Sequence, residues 1–403
     1  VLAALGAAAF GEPASARYDF VVLADSAGPV VPASLLAPSI DEDGSVAFWA
    51  MVDGVQHILV AREPGATSAE DYESLVSGGN YSTVGAFVAG RAAYTAPAPS
   101  TMDPISSIHR TDTALPLYTG LDFDVRRVPP PLNVLGQTVI LETYPEGRVV
   151  ATDGVDTQVI AAPGQAFGDG SKKYGYVGFP PPDIDGVGRV AYRVDLLPID
   201  QQADPVPCNN KILLSGLLPP IEISEGGVFD EDHCPFASAG IGVHIPIALN
   251  DAGSAAFDAW FSTPSGWVKG IFVDRTVWWD ARSPGFEGIT AIVSFALNDG
   301  NLLAYVLLDA MYQPILFTGR APNHERVLGV GDTLCDDTVS SFKFHRYGLN
   351  DAGEMALAVT LADQRKLVVR VEPTELPNDR CITQVPEANA WLAALAALAA
   401  LSL

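Results

Sequence analysis

One short pattern returns along the whole chain and limits what it can fold into: Asn or Asp, two variable residues, Gly, two more residues, then Ala and an aromatic. The clearest copies are LNDAGSAAF (Asn250, Gly253, Ala256, Phe257) and LNDAGEMAL (Asn350, Gly353, Ala356, Leu357). IDEDGSVAF (Asp41, Gly44) and IDGVGRVAY (Asp185, Gly188) open with Asp, and LNVLGQTVI (Asn133, Gly136) keeps the turn and varies the strand. LNDGNLLAY puts Asn301 where Gly is expected, an exchange that a left-handed backbone tolerates. FVAGRAAY (Phe87, Gly90) lacks the opening polar residue. The copies start at 41, 87, 133, 185, 250, 298 and 350, in steps of 46, 46, 52, 65, 48 and 52 residues, close to the size of one propeller blade.

The pattern has a physical reading. Asn or Asp opens a tight turn by bonding its side chain to the backbone ahead, and Gly supplies the positive φ that closes it. The strands that follow, such as SVAFWAMV, SAAFDAWF and NLLAYVLL, are apolar almost throughout. A half-exposed strand alternates, whereas a strand covered on both faces does not. Face-to-face stacking of blades covers the middle strands in this way. Small Ala would let neighbouring sheets approach, and the aromatic beside it would fill the opposite face. A second strand recurs after the first, as in HILVAR (57–62), KILLSG (211–216) and KLVVRV (366–371), and a third apolar piece often follows. With the segment before each turn, this predicts four strands per repeat. RYDFVVLAD (17–25) has no motif of its own. The reading is therefore an all-β chain, a seven-bladed β-propeller over 17–373, with the N-terminal strand closing the blade begun at Asn350 and leaving no free edge.

Here the chain resembles the N-x-x-G-x-x-A-F tandem-repeat proteins exported by bacteria, many of which carry PEP-type C-terminal tails. At blade level it is similar to TolB-type propellers, whose turn is S-P-D-G before an apolar strand. Both resemblances imply a propeller. The repeat family has no established common activity, so it carries over no catalytic residues.

The two ends suggest an address. Residues 1–10 form a short apolar run, and Ala14-Ser15-Ala16 is a small-x-small signal, so 1–16 is read as the remnant of a signal peptide cut before Arg17. A linker over 374–389 precedes an apolar segment, 390–403, which is shorter than the about 20 residues of a membrane span. The tail from Val385-Pro386-Glu387 onward resembles the PEP-C-terminal sorting signal, with Ala388 in place of the second Pro and no basic cluster after Leu403. The resemblance implies a secreted or cell-surface protein that meets membrane only through this tail.

Twenty-three Lys and Arg against 48 Asp and Glu leave a net charge of −25. Such a field repels nucleic acid and anionic lipid. Cys208, Cys234, Cys335 and Cys381 contain no C-x-x-C pair, which leaves zinc ribbons and thioredoxin-like motifs unsupported. An even count in an exported chain suggests two disulfides. Sequence neighbours favour Cys208–Cys234 and Cys335–Cys381, among three connectivities, and four free thiols are the other reading.

No sequence motif announces chemistry. The six His share no offset within the repeats, and no H-E-x-x-H, G-x-S-x-G, Walker loop or dinucleotide fingerprint occurs. The acidic turns lack the length and ligand spacing of an EF-hand loop. The longest step, within 193–249, holds Cys208, Cys234 and the run Asp230-Glu231-Asp232. That loop reads either as a solvated acidic insertion stapled for stability or as a binder of calcium through these three carboxylates; no other cofactor is expected. Two function classes stay open: a non-catalytic module for a glycan, peptide or protein, and an extracellular polysaccharide hydrolase or lyase with carboxylates at the channel mouth. Exposed aromatics would favour the first, and Trp49, Trp260, Trp267, Trp278 and Trp279 are the candidates, most of them in strands expected to be core.

Overall fold

The computed structural model describes residues 18–382, apart from 33–35, 79–82, 98–104, 122–128, 143–146, 169, 200–209, 217–219, 224–244, 264–265, 321–322 and 375–380.

The motif folds as one repeated turn. At 41, 133, 185, 250, 298 and 350 the backbone N–H of the fourth residue bonds the carbonyl of the first. The first residue's own N–H bonds the carbonyl of the fifth. In the last five of these turns the Oδ1 of the opening Asn or Asp also accepts the N–H of the fifth residue. Gly353 holds φ at 81°, and Asn301 takes the same place at 59°. The copy without an opening polar residue uses another device. Ala89 and Gly90 both have positive φ, 51° and 74°, and Val88 pairs directly with Arg91. Two successive positive φ values make a tight two-residue hairpin that needs no Asx side chain.

The strands after the turns are buried on both faces, as at Val46–Val52, Ala255–Thr263, Leu303–Leu308 and Met355–Leu361. Side chains alternate between faces with period two, and the motif exploits this. Ala47, Ala93, Ala191, Ala256, Ala304 and Ala356 each pack into the core shared with the following sheet. Phe48, Tyr94, Tyr192, Phe257, Tyr305 and Leu357 each pack into the core shared with the preceding one. All six alanines are at 0% exposure, so a larger residue there would wedge the sheets apart. A separate apolar core lies between each pair of neighbouring sheets, including that between the last and the first.

The described strands group into seven sheets in chain order, the arrangement of a β-propeller. The first holds Val31–Pro32, Val46–Val52, Val55–Ala61 and Glu73–Ser77, with Ser39–Ile40 on Val46–Val52. The last contains Asp337–Lys343, Met355–Leu361 and Lys366–Pro373, and Tyr18–Asp25 from the other end of the chain pairs antiparallel with Lys366–Pro373. Among the described residues the only helical element is one 3-10 turn, Ala69–Asp71.

The expectation of four strands in every unit does not hold, because the sheets have three to six. The third has three, Thr138–Glu142, Arg148–Thr152 and Thr157–Ala161. Its inner segment is Pro129-Pro130-Pro131, which has no N–H to give to a ladder. The last has six because Tyr18–Asp25 and Cys381–Ile382 join it, the latter parallel to Tyr18–Asp25. Cys381 is bonded to Cys335 with Cα atoms 5.1 Å apart, which ties this outermost strand to the inner edge of the same sheet.

Candidate functional site

The motif turns all leave the sheets at one end, and hydrogen bonds string them together. Asn can serve two masters at this position. Its Oδ1 accepts within its own turn, which leaves Nδ2 to donate to the next. Nδ2 of Asn133 donates to the carbonyl of Asp185 at 3.0 Å, Asn250 to Asn298 at 2.8 Å, Asn298 to Asn350 at 3.1 Å and Asn350 to Asp41 at 3.3 Å. Asp has no such donor. Asp185 therefore binds Arg189 instead, and Arg189 Nη2 donates to the carbonyl of Asp251 at 2.6 Å. Asp41 accepts the Gly90 N–H at 3.2 Å, and Arg91 Nη2 donates to the carbonyl of Val134 at 2.7 Å. These joints run through the turns at 41, 90, 133, 185, 250, 298 and 350 and return to 41.

A second series of bonds lies beside the first. The carboxylates of Asp251, Asp299, Asp351 and Glu42 each accept the backbone N–H of the equivalent residue one turn earlier: Gly186, Asp251 at 2.6 Å, Asp299 at 2.7 Å and Asp351 at 2.9 Å. Four acidic side chains thus stand in an arc over successive turns. Partial burial and the neighbouring charges of Asp351, Asp41 and Asp299 push Glu42 up to about 7, against the N–H of Asp351 that favours its charged form. Asp299 is raised for the same reasons, by burial and by Asp351 and Asp251.

Inside the ring of turns, one side chain from the last sheet crosses to the opposite side. Arg346 precedes the Asn350 turn, and its side chain is 1% exposed. Its Nη1 donates to the carbonyls of Pro182 and Ile247, both at 2.9 Å, and Nη2 to that of Pro129 at 3.1 Å. The acceptors precede the turns of the fourth, fifth and third sheets. Asp183 lies 3.7 Å away and accepts from the Leu249 N–H and from Tyr347 Oη at 3.0 Å. Burial pushes the Asp183 carboxyl upward, while Arg346 and these two donors pull against it. His345 completes the group. Its Nδ1 accepts the Tyr347 N–H, its Nε2 faces Ser39 Oγ at 3.4 Å, and Ser39 donates to the Gly85 carbonyl. Burial and the Arg346 charge lower His345 to about 3, so the imidazole is neutral at physiological pH. His345, Arg346 and Tyr347 thus fill the centre and bind inner segments of five other sheets. The sequence reading missed this hub. The available signal was a cation four places before Asn350, where the equivalent positions hold Pro129, Pro181 and Pro246.

The turn residues singled out from sequence, Asp41, Gly44, Asn133, Gly136, Asp185, Gly188, Asn250, Gly253, Asn350 and Gly353, all lie in this ring. Asp230, Glu231 and Asp232, with Cys208 and Cys234, lie outside the described residues. Among the described residues no group of three or more His, Cys, Asp or Glu could hold a metal ion. Of the tryptophans whose side chains are described, Trp279 is core at 2% exposure and Trp260 is exposed at 37%. Trp278 donates to the Gly319 carbonyl and carries Arg320 over its ring.

No family model and no curated protein matches this chain. Among solved structures it is similar to TolB from Acinetobacter baumannii, at 11% identity over 78% of this chain and 76% of that one, with a TM-score of 0.38. It is also similar to the WD40 β-propeller domain of Doa1, at 11% identity over 87% and 96%, with a TM-score of 0.39. A third likeness is YCF48 bound to D1 peptide, at 11% identity over 90% and 99%, with a TM-score of 0.34.

Proposed function

We propose that 17–373 is a closed seven-bladed ring that works outside the cytoplasmic membrane of a bacterium as a non-catalytic binding or structural module for a glycan, peptide or protein. The observation that carries this reading is the use made of the polar groups. Arg346 and its neighbours occupy the centre, where a propeller enzyme would admit substrate, and the carboxylates at the rim brace one turn against the next. The turn-to-turn joints support the count of seven, because they pass through seven turns before returning to Asp41. In a binding screen against extracellular polysaccharides and peptides, this reading expects association without turnover. Export belongs to the same proposal. N-terminal sequencing of protein from the native host should find Arg17 first, and an uncleaved cytoplasmic form would refute it. The tail 385–403, with its apolar segment 390–403, is proposed as the sorting signal.

The raised Glu42 favours one second reading. A carboxyl raised to about 7 beside a second carboxylate is the equipment of a glycoside hydrolase or lyase. Glu42→Gln decides between them: polysaccharide cleavage by the wild type that falls at least about a hundredfold in the variant would establish the enzyme.

A further inference from the structure

The face that carries the turns is divided. Strands in each sheet alternate in direction, so the connection after the third strand emerges at the same end as the motif turn. Over the second, third and fourth sheets the described residues at this end expose six large apolar side chains. Val134 (49%), Leu135 (60%) and Val187 (68%) occupy the variable positions of two adjacent turns. Leu115 (77%) and Val155 (88%) lie in the connections outside them, and Ile221 (47%) opens the short outer strand Ile221–Glu222 of the fourth sheet. The segments that carry Leu115, Val155, Val134, Leu135 and Val187 adjoin one another. Gly154 sits against Pro116 and Leu117, Arg91 joins the second turn to Val134, and Asn133 joins the third turn to Asp185. In the fifth, sixth, seventh and first sheets the place of Val134 is taken by Asp251, Asp299, Asp351 and Glu42, all four exposed, and that of Leu135 and Val187 by Ala252, Gly300, Ala352 and Asp43. Nothing in turn formation requires Val or Leu at these positions, because the other turns use Asp, Glu, Ala and Gly there. Single exposed apolar residues are ordinary, whereas contiguous ones rimmed by polar groups mark contact surfaces.

We propose that this apolar sector docks a polypeptide that presents an apolar ridge flanked by Lys or Arg. The inference rests on the binding-module reading and adds the place and the chemistry of the partner. Charge complementarity selects the occupant. The carboxylate arc begins where the apolar sector ends, at the joint of Gly186 to Asp251. A cationic segment leaving the apolar contact would meet acceptors, and an acidic one would meet repulsion. The net charge of −25 opposes a second copy of this chain or an anionic membrane at the same place.

The test is selection of a displayed library of random short peptides on the full chain, followed by affinities for the selected peptides. The variants are Val134→Ser/Leu135→Ser/Val187→Ser and Asp251→Asn/Asp351→Asn, with thermal melts to verify folding. Enrichment of Lys or Arg together with apolar residues is expected, with binding at least about tenfold weaker, or 1.4 kcal/mol, in either variant. Enriched peptides that are acidic or uncharged but still need the apolar sector would overturn the charge assignment and leave the module reading standing. Selected peptides that bind the triple-Ser variant unchanged would overturn the location. No enrichment at all would overturn the docking surface, and the module reading would then stand or fall on the polysaccharide screen. Binding to phosphatidylcholine vesicles that is lost in the triple-Ser variant would assign the sector to a membrane and overturn the polypeptide partner.

Discussion

Replacing Arg346 with Met removes a buried guanidinium and leaves an apolar stem in part of its space. Three carbonyls, those of Pro129, Pro182 and Ile247, lose their charged donor, and Asp183 loses its counter-ion. Asp183 itself is 3% exposed, so water cannot replace what it loses. Breaking a buried pair from one side costs about 3–5 kcal/mol. With an unfolding entropy of about 2.1 cal/mol/K per residue and a ring over 18–373, that corresponds to a fall in melting temperature of about 4–7 °C. The companion variant Asp183→Asn keeps a hydrogen-bonding side chain and removes the charge, so the double variant should be more stable than the two single losses imply by at least about 1 kcal/mol. Chemical denaturation monitored by tryptophan fluorescence and by circular dichroism reads both quantities. A single variant within about 1 kcal/mol of wild type, or strict additivity in the cycle, would refute the hub, since neither is compatible with a desolvated charge left alone.

Asn298→Ala removes one joint of the turn ring together with the Oδ1 that accepts from Leu302; a loss of about 1–3 kcal/mol is expected by urea titration. Gly353→Ala forces a Cβ onto a φ of 81° and should cost about 1–2 kcal/mol in the same assay. Reduction of Cys335–Cys381 opens a loop with a sequence separation of 46 and in the chain-entropy model lowers stability by up to about 4 kcal/mol, seen as a lower melting temperature under dithiothreitol. Two groups set opposite pH limits. Glu42 is raised from 4.5 to about 7, so the folded state holds its proton longer and this contribution falls away as pH climbs through that window. His345 is lowered from 6.5 to about 3, so stability is lost as pH falls below about 6.5 while the unfolded chain takes up the proton. NMR titration of Glu42 should give a midpoint near 7 that drops in Asp351→Asn.

The ring was legible because its signal is local. A turn that needs positive φ at a fixed place constrains the residue at 353 to Gly and lets Asn stand at 301. A strand covered on both faces puts Ala356 and Leu357 side by side without alternation. The hub was not legible, because Arg346 has no neighbour in sequence that explains it. Its partners at 129, 182, 183 and 247 converge only when the sheets are set in a circle. Proline obscured the inner segments further. Pro129 and Pro182 have no N–H to give to a ladder, yet their carbonyls are the acceptors that the guanidinium uses. The division of the turn face was equally hidden. Val134, Leu135 and Val187 look like variable turn positions one at a time, and they form a surface only as neighbours.

Tyr18 pairs with Pro373. During synthesis the first strand therefore emerges long before its partner exists. At about 5–20 residues per second the ribosome needs roughly 20–70 s to deliver that partner. Throughout that interval the apolar Phe20-Val21-Val22-Leu23 has an unpaired edge of the kind that invites pairing with other chains. The pairing of Tyr18–Asp25 must thus wait for Lys366–Pro373, and a chain cut short before 366 would lose that strand and with it the partner that seals the seam.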